Sequence, residues 1–380
     1  MKKIIRGILK IFIMAAALFC AFTVLQKVNQ KKPEIPFVPV KIQSVTLEQK
    51  FYYGQLEEEA QTVYKEILQG IQEEEKEIYV HSGDATQVNQ ILQSVLKDFP
   101  EIFWCDGSAT ATAYESPEAY TVLEPVYICE GEEKEKKQAE IESAVDECLQ
   151  GVAQGAADYE KILYVYEYIV NNVDYDNTAE DNQNIYSVFV HRRSVCAGYS
   201  KATQYLLERL GVFCTYVTGT TGEGNLHAWN LVSCEGDYCY VDTTWGDPLF
   251  QEKEENISYD YMCCDDAQLF RTHQPDDDIS LPVCDQIRWN YYVVNGMYYE
   301  DYDGEETLKI MNRDVAGGAS QTVFKYSSPE TYEKAAADIF ETPLPKAIKN
   351  LARQYGLSEV HYQYMKDETA NKIIIYWQYS

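Results

Sequence analysis

The sequence predicts an α+β protein in which a central module is flanked by an N-terminal α/β module and a C-terminal α+β module. Two observations predict this class. Apolar residues recur at helical spacing in several stretches, and short runs rich in β-branched and aromatic residues lie between those stretches. The 380 residues suffice for two or three domains, and the 46% hydrophobic and 24% charged content is typical of globular proteins.

Residues 1–32 have the composition of a membrane anchor or a signal segment. They carry seven Lys or Arg and no acidic residue, and the run Ile11–Leu25 is apolar except for Thr23. Together with Ile4–Leu9, this run approaches the ~20 residues that span a bilayer. We expect a single-pass anchor that holds the rest of the chain outside the cytoplasm, with secretion after signal cleavage as the alternative. Residues 33–48, with three prolines, are predicted to be a tether.

The N-terminal module is predicted to span 49–130. Its periodicity indicates two helices and three strands, namely helices over Leu56–Ile71 and Val88–Val95 and strands at Ile78–Val80, Phe103–Trp104 and Val122–Ile128. The central module is predicted to span 131–285 and to include a helix over Ile162–Ile169 that Asp158 caps. In the C-terminal module, 286–380, Asn295-Gly296 predicts a hairpin between Tyr291–Val294 and Met297–Tyr299, and Ile373–Trp377 is a strand.

The charge distribution argues against nucleic acid as a partner. The formal net charge is −29, and the basic N-terminal segment leaves about −36 on residues 33–380. Affinity for a phosphate backbone depends on cationic contacts, which a body this acidic does not offer.

Cys196 is predicted to open a helix. The apolar residues that follow it recur on one helical face: Tyr199, Ala202, Leu206 and Leu210. Gly211 is placed to end the helix. The free N–H groups and the dipole at a helix N-terminus favour a thiolate over a thiol, as a nucleophile requires. A buried structural cysteine is the alternative interpretation.

His227 and Asp242 lie on two apolar runs that Glu235-Gly236 joins. If the runs form a hairpin centred on that dipeptide, paired residues have numbers that sum to 471, and Trp229 faces Asp242. His227 and Asp242 are then diagonal neighbours on one face, roughly 7 Å apart at Cβ, which a histidine and a carboxylate can bridge. This arrangement predicts a Cys196–His227–Asp242 triad in which Asp242 orients His227.

The chain has eleven cysteines, which export would allow to form disulfides. Cys234 and Cys239 are diagonal in the same hairpin register, so a disulfide between them is awkward. A metal site is an alternative interpretation of this part of the chain. Its candidate ligands are Cys234, Cys239, Cys263, Cys264, Cys284 and His273. Their spacing fits no familiar zinc pattern, and we predict no metal.

Three motifs occur in the order Cys196-Ala197-Gly198-Tyr199-Ser200, His227-Ala228-Trp229-Asn230 and Asp242-Thr243-Thr244-Trp245. Together they resemble the transglutaminase-like superfamily, whose members share a papain-like fold with the order Cys, His, Asp. The resemblance is strong from Gln183 to about Pro248 and weaker to about His273, where the chain is similar to bacterial members. It does not extend to the C-terminal module.

The resemblance implies a papain-like core and an enzyme that needs no cofactor. Its Cys196 thiolate attacks a carboxamide of a protein or peptide substrate, which could belong to the cell envelope, and forms a thioester. Water or an amine then accepts the acyl group, so the protein is a protease, a deamidase or a cross-linking enzyme. The Cys196 backbone N–H and Gln183 are candidate oxyanion donors. A catalytically inactive, surface-anchored binding or scaffolding module is the alternative.

Overall fold

The computed structural model describes residues 34–222, 224–247, 257–277 and 279–379, so the predicted anchor lies outside the described residues. The helices are α1 Glu58–Gln72, α2 Ala85–Asp98, α3 Gly131–Leu149, α4 Asp158–Asn172, α5 Cys196–Arg209, α6 Thr243–Gly246, α7 Asp266–Leu269, α8 Tyr291–Val294, α9 Gly304–Ala316, α10 Pro329–Asp338 and α11 Pro343–Tyr355. Single 3-10 turns occur at Ser44–Leu47 and Tyr53–Gln55, and a π-helical turn occurs at Ser187–His191. Among these described residues, none of the helices combines the length and the apolar character that crossing a bilayer requires.

Fourteen strands alternate with these helices in the described part of the chain. They are β1 Ile78–Val80, β2 Cys105–Tyr114, β3 Tyr120–Tyr127, β4 Asp174–Tyr175, β5 Arg193–Ser194, β6 Cys214–Thr221, β7 Asn225–Cys234, β8 Asp237–Val241, β9 Met262–Cys264, β10 His273–Pro275, β11 Tyr298–Tyr299, β12 Gln321–Tyr326, β13 Tyr362–Asp367 and β14 Lys372–Trp377. The mixture confirms the predicted α+β class.

The described chain divides into two compact units. The first comprises 34–49, Leu56–Val95 and Gly107–Tyr127, and the second comprises Lys50–Gln55, Leu96–Asp106 and the chain from Ile128 onward. In this division, the central and C-terminal modules belong to one unit. The module boundaries inferred from the sequence stay predictions.

The first unit contains the sheet β1-β3-β2 and the predicted helix that becomes α1. The apolar face of α1 is buried through Val63, Ile67 and Ile71. The prediction of a strand at Phe103–Trp104, which belongs to the second unit, is wrong because the strand β2 begins one residue later. Both side chains are buried in the preceding turn, so their apolar character reflects burial rather than strand pairing.

The second unit is organised around the antiparallel sheet β10-β6-β7-β8-β9. Helix α5 lies against this sheet, and the Asn230 side chain on β7 donates to the backbone oxygen of Ser200 at 2.9 Å. The prediction that Asp158 caps α4 is wrong, because Asp158 is the first helical residue. The Glu160 carboxylate instead accepts the backbone N–H of the N-cap residue, Ala157, at 2.9 Å.

The C-terminal part of the second unit has its own sheet, β11-β12-β14-β13, with a core formed by that sheet and helices α9, α10 and α11. The prediction of a hairpin at Asn295-Gly296 is wrong. Tyr291–Val294 is the helical turn α8, and Gly296 follows it with a φ of 66°. An Asn-Gly pair suits a helix C-terminus as well as a hairpin turn. Packing of Tyr292 against Val323 and Ile374 favours the helix.

A buried ionic cluster links the five-stranded and four-stranded sheets of the second unit. The Asp260 carboxylate, just before β9, is in contact with Lys372 on β14 and lies 3.3 Å from the Lys325 ammonium on β12. All three residues are at most 5% exposed. Burial would raise the pKa of the Asp260 carboxyl, but Lys372 and Lys325 lower it well below its usual range. The cluster therefore holds its carboxylate ionised inside the protein.

Candidate active site

Cys196 is the first residue of α5, as the sequence predicted. Val195 is the N-cap residue in extended conformation, and Cys196 itself is half-buried in a small cluster with Val195, Tyr216 and Ala228. Its thiol thus lies where the unpaired N–H groups of a helix favour negative charge.

Gly198 explains how the start of α5 approaches the preceding loop. A Cβ at this position would stand 1.9 Å from the Ser194 hydroxyl oxygen and about 3 Å from the carbonyl oxygens of Asn182 and Asn184. Any larger residue would displace the Ser194 hydroxyl and crowd the two carbonyl oxygens. The Ser194 hydroxyl and the Val195 N–H both donate to the Asn182 carbonyl, which ties the loop to the helix start.

The predicted hairpin register is confirmed. Strand β7 pairs with β8 so that Asn230 faces Val241 and Cys234 faces Asp237, across a two-residue turn. Glu235 and Gly236 have φ values of 50° and 89°, which matches the twist of a tight hairpin. In this register His227 Nε2 lies 2.7 Å from Asp242 Oδ2, and the two side chains are buried.

Asp242 is held by its backbone surroundings as well as by His227. It is the N-cap of α6, and its Oδ1 accepts the backbone N–H groups of Thr244 at 2.9 Å and Trp245 at 3.1 Å. The Asp-Thr-Thr-Trp sequence therefore folds back on its own carboxylate. One carboxylate oxygen is occupied by the helix start, and the other faces the histidine ring.

The His227–Asp242 pair is electrostatically coupled. Burial alone would lower the pKa of His227, whereas the Asp242 carboxylate and the Cys196 side chain raise that pKa to about 10. Burial would raise the pKa of Asp242, but His227 and His273 lower it well below its usual range. Because Nε2 of His227 is engaged by Asp242, Nδ1 is the ring nitrogen left to interact with Cys196. The arrangement favours an imidazolium beside the sulfur.

His273 is a site residue whose role the sequence did not indicate. It lies on β10, and its Nε2 is 3.1 Å from Asp242 Oδ2, the same oxygen that His227 contacts. Its ring packs against Trp245 at 4.7 Å and Trp229 at 5.0 Å between centroids. In the sequence, His273 was a weak metal candidate and marked the end of the weaker part of the resemblance. Nothing local relates it to a carboxylate 31 positions earlier.

Gly219 lets the strand of His273 come close. It pairs with Pro275 on β10 and with His227 on β7. A Cβ at Gly219 would stand 2.1 Å from the Gln274 carbonyl oxygen and 2.8 Å from the Trp229 ring. Gly219 lies on β6, between β10 and β7. Strand β10, which carries His273, can therefore pack against β6 only because Gly219 has no side chain.

The donor set of His227, Asp242 and His273 could in principle hold a cation, since its ligand atoms lie within 4.8 Å of one another. Two ligands of a tetrahedral zinc ion at 2.0–2.1 Å are separated by roughly 3.3 Å. The separations of 2.7 Å and 3.1 Å between the ring nitrogens and Oδ2 are shorter. They are hydrogen-bond lengths, so the geometry fits shared protons better than a metal ion.

The candidate oxyanion donors have different surroundings. The Cys196 backbone N–H is directed at the Tyr175 hydroxyl. Burial raises the pKa of that hydroxyl to about 12, so it is neutral at physiological pH. Gln183 lies in the loop before α5 with an exposed side chain, which donates to Asn182 Oδ1 at 3.3 Å. Its oxyanion role stays a prediction.

The other predicted ligand candidates do not join the site. The ten cysteines of the described residues are free thiols, so no disulfide links them. The Cys263 thiol hydrogen-bonds with Cys234 and Cys239. These contacts and burial raise the pKa of Cys263. Sequence reasoning had grouped these cysteines with His273, whereas the structure puts His273 beside Asp242.

Comparison with known proteins agrees with the resemblance inferred from the motifs. Residues 146–243 match the family profile of the transglutaminase-like superfamily, a range that contains all three predicted triad positions. The chain contains a transglutaminase-like domain. This assignment supports a cysteine-type enzyme in general terms.

The individual proteins that this chain resembles have low sequence identity to it. The kyphoscoliosis peptidases of Mus musculus and Homo sapiens are 26% and 27% identical over 161 residues, which covers 37% of this chain and 24% of each relative. The matched part is thus about a quarter of the length of those relatives. A crystal structure of a transglutaminase (TGase) is 13% identical with a TM-score of 0.27, and the match covers 54% of this chain and 58% of that one.

Proposed function

We propose that the protein is a cysteine enzyme that acts on peptide or isopeptide amide bonds through Cys196, His227 and Asp242. One observation carries the proposal: a buried His227–Asp242 hydrogen bond of 2.7 Å adjoins a cysteine that begins a helix. The family assignment of residues 146–243 supports the same class of chemistry. Thiolate, base and orienting carboxylate are the three roles that this chemistry requires.

In the proposed reaction, the Cys196 thiolate attacks the carbonyl carbon of a carboxamide. As the C–N bond breaks, the His227 imidazolium gives its proton to the leaving amine, and a thioester forms. Water or a second amine then attacks the thioester, His227 accepts a proton from it, and the Cys196 thiolate leaves. Asp242 stays ionised throughout, since its pKa lies well below the usual range.

The developing negative charge on the carbonyl oxygen needs hydrogen-bond donors. The Cys196 backbone N–H is the first candidate and Gln183 the second. Because the Tyr175 hydroxyl is near that N–H, a substrate oxygen that uses the N–H would compete with the hydroxyl for it. Tyr175 would then be the side chain that moves when substrate binds.

The substitution Cys196→Ala tests the proposed nucleophile. We expect it to abolish amide turnover while the unfolding temperature stays close to that of the wild type, because the thiol is small and half-buried. Glutamine-containing peptides offered with a labelled primary amine would separate the branches, since mass spectrometry distinguishes incorporated label from hydrolysis. Undiminished turnover in Cys196→Ala would reject the proposal. A wild-type Cys196 that mild iodoacetamide does not label would favour the inactive binding module instead.

We further propose that an N-terminal anchor holds the enzyme outside the cytoplasm, with a cell-envelope protein or peptide as substrate. The basic and apolar pattern of residues 1–32 supports this location. Protease added to intact cells is expected to digest the domain, and deletion of 1–32 to leave it in the cytosol. Full protection of the wild-type chain in intact cells would contradict the proposed location.

A further inference from the structure

A second histidine shares the carboxylate oxygen that orients His227. His273 is 3% exposed, and its Nε2 lies 3.1 Å from Asp242 Oδ2, against 2.7 Å for His227. The two imidazole rings are 5.3 Å apart between centroids, and their planes are inclined at 52°. Both rings therefore approach one oxygen from different directions.

The hydrogen bonds behind His273 define which of its nitrogens carries the proton. Its Nδ1 lies 2.8 Å from the Thr272 hydroxyl, and that hydroxyl lies 2.8 Å from the Tyr261 hydroxyl. If Tyr261 donates to Thr272 and Thr272 donates to Nδ1, the neutral ring has its proton on Nε2 and donates to Asp242. The Thr272 hydroxyl also lies 3.3 Å from the Leu269 carbonyl oxygen, and its shorter 2.8 Å contact with Nδ1 favours this tautomer.

Asp242 consequently accepts four hydrogen bonds. Two backbone N–H groups bind Oδ1, and the two imidazoles bind Oδ2. Four is about the full capacity of a carboxylate. The side chain is thereby prevented from rotating away from His227, and its negative charge is divided between two rings.

We propose that His273 is a positioning residue that holds the Asp242 carboxylate toward His227 and moderates how strongly that carboxylate retains the His227 proton. The inference rests on the proposed function of Cys196 and His227. Without the His273 hydrogen bond, the whole charge of Asp242 would act on His227, and the imidazolium would release its proton at a higher pH. A carboxylate held by one hydrogen bond fewer could also rotate and misalign His227.

The pH readout is interpretable because the surrounding groups, Lys201 apart, keep their charge near neutral pH. Burial raises the pKa of each of the neighbouring phenols and of the neighbouring thiol, which are Tyr166, Tyr175, Tyr216, Tyr261 and Cys264. Asp260, adjacent to Tyr261, is ionised by its two lysine partners. Lys201, on the same helix as Cys196, is the exception, because burial lowers its pKa to about 8. Substitutions at His273 leave Lys201 unchanged, so an inflection that they move is assigned to the His227–Asp242 pair rather than to Lys201.

Two substitutions at His273 test whether this residue positions the Asp242 carboxylate or only stabilises the fold. His273→Leu removes the donor, while His273→Gln puts an amide N–H near the position of Nε2 and cannot titrate. Gln274→Ala, an exposed neighbour on the same strand, is the matched control. For each protein, kcat and KM are measured against pH, and the rate of Cys196 alkylation by iodoacetamide is followed by peptide mass spectrometry.

We expect His273→Leu to lower kcat at least about tenfold, the usual cost of a lost hydrogen bond to a charged group, with KM little changed. The alkaline inflection in kcat/KM and in Cys196 alkylation should move to higher pH. His273→Gln should recover most of kcat, and Gln274→Ala should match the wild type. Wild-type kcat and an unmoved inflection in folded His273→Leu would overturn the proposal. So would equal losses in both His273 variants that parallel a fall in unfolding temperature.

The alkylation measurement keeps this inference distinct from the proposed function. If the wild type turns over no amide but the alkaline inflection of Cys196 alkylation still moves in His273→Leu, the amide activity is refuted and the positioning role stands. If the wild type is active and the inflection does not move, the positioning role fails while the proposed function survives.

Discussion

Replacing Asp242 with Asn should remove the charge that keeps His227 protonated. Asparagine retains the shape of the side chain, and its oxygen can still accept the Thr244 N–H at the start of α6. Its amide group would face the two imidazoles as a donor. His227 would then have to accept at Nε2 and carry its proton on Nδ1, the wrong tautomer for taking a proton from Cys196.

The pKa of His227 sets an upper limit on this effect, because Cys196 as well as Asp242 raises it. A rise in the pKa of His227 from 6.5 to about 10 corresponds to roughly 5 kcal/mol of stabilisation of the folded state, at about 1.4 kcal/mol per pH unit. His227 is only 7% exposed, so solvent screening is small. Because the folded pKa is raised, this stabilisation is complete below pH 6.5 and is lost as the pH rises toward about 10.

Urea unfolding at pH 7, 8 and 9 under reducing conditions, followed by tryptophan fluorescence, measures the slope. The reference protein is Cys196→Ala, because a thiolate at Cys196 would release a proton on folding that offsets the proton taken up by His227. In this background we expect the His227–Asp242 pair to lower the free energy of unfolding by about 1.4 kcal/mol per pH unit. Adding Asp242→Asn should abolish this contribution, whereas adding Asp146→Asn, on the exposed side of α3, should leave the slope unchanged. Equal slopes with and without Asp242→Asn would refute the coupling.

Two further substitutions test how the second unit is built. Asp260→Ala should lower the free energy of unfolding by about 3–5 kcal/mol, because it leaves two buried ammonium groups without a counter-charge. Glu330→Ala, which breaks an exposed pair with Lys334, should change it little in the same denaturant titration, and equal effects would contradict the role of the cluster. Gly219→Ala should cost about 1–3 kcal/mol by forcing β10 away from β6. Gly54→Ala, with nothing within 4 Å of the new methyl group, should not, and unchanged thermal unfolding of Gly219→Ala would show that β10 adapts.

The sequence by itself determined the features that depend on neighbouring residues. Cys196 begins a helix because an apolar helical stripe follows it. His227 meets Asp242 because a two-residue turn at Glu235-Gly236 sets the register of the hairpin, and a strand has a side-chain period of two. Those two local rules were sufficient to bring two of the three predicted triad residues to hydrogen-bond distance.

Only the tertiary structure decided where distant segments meet. The Asn295-Gly296 signal suits both a hairpin and a helix end, and the packing of Tyr292 selected the helix. Asp260 lies 65 and 112 positions from its two lysines, so no local pattern relates them. His273 reaches Asp242 because β10 pairs with β6 at the side-chain-free Gly219, and pairing between distant strands is set by burial and close packing rather than by spacing along the chain.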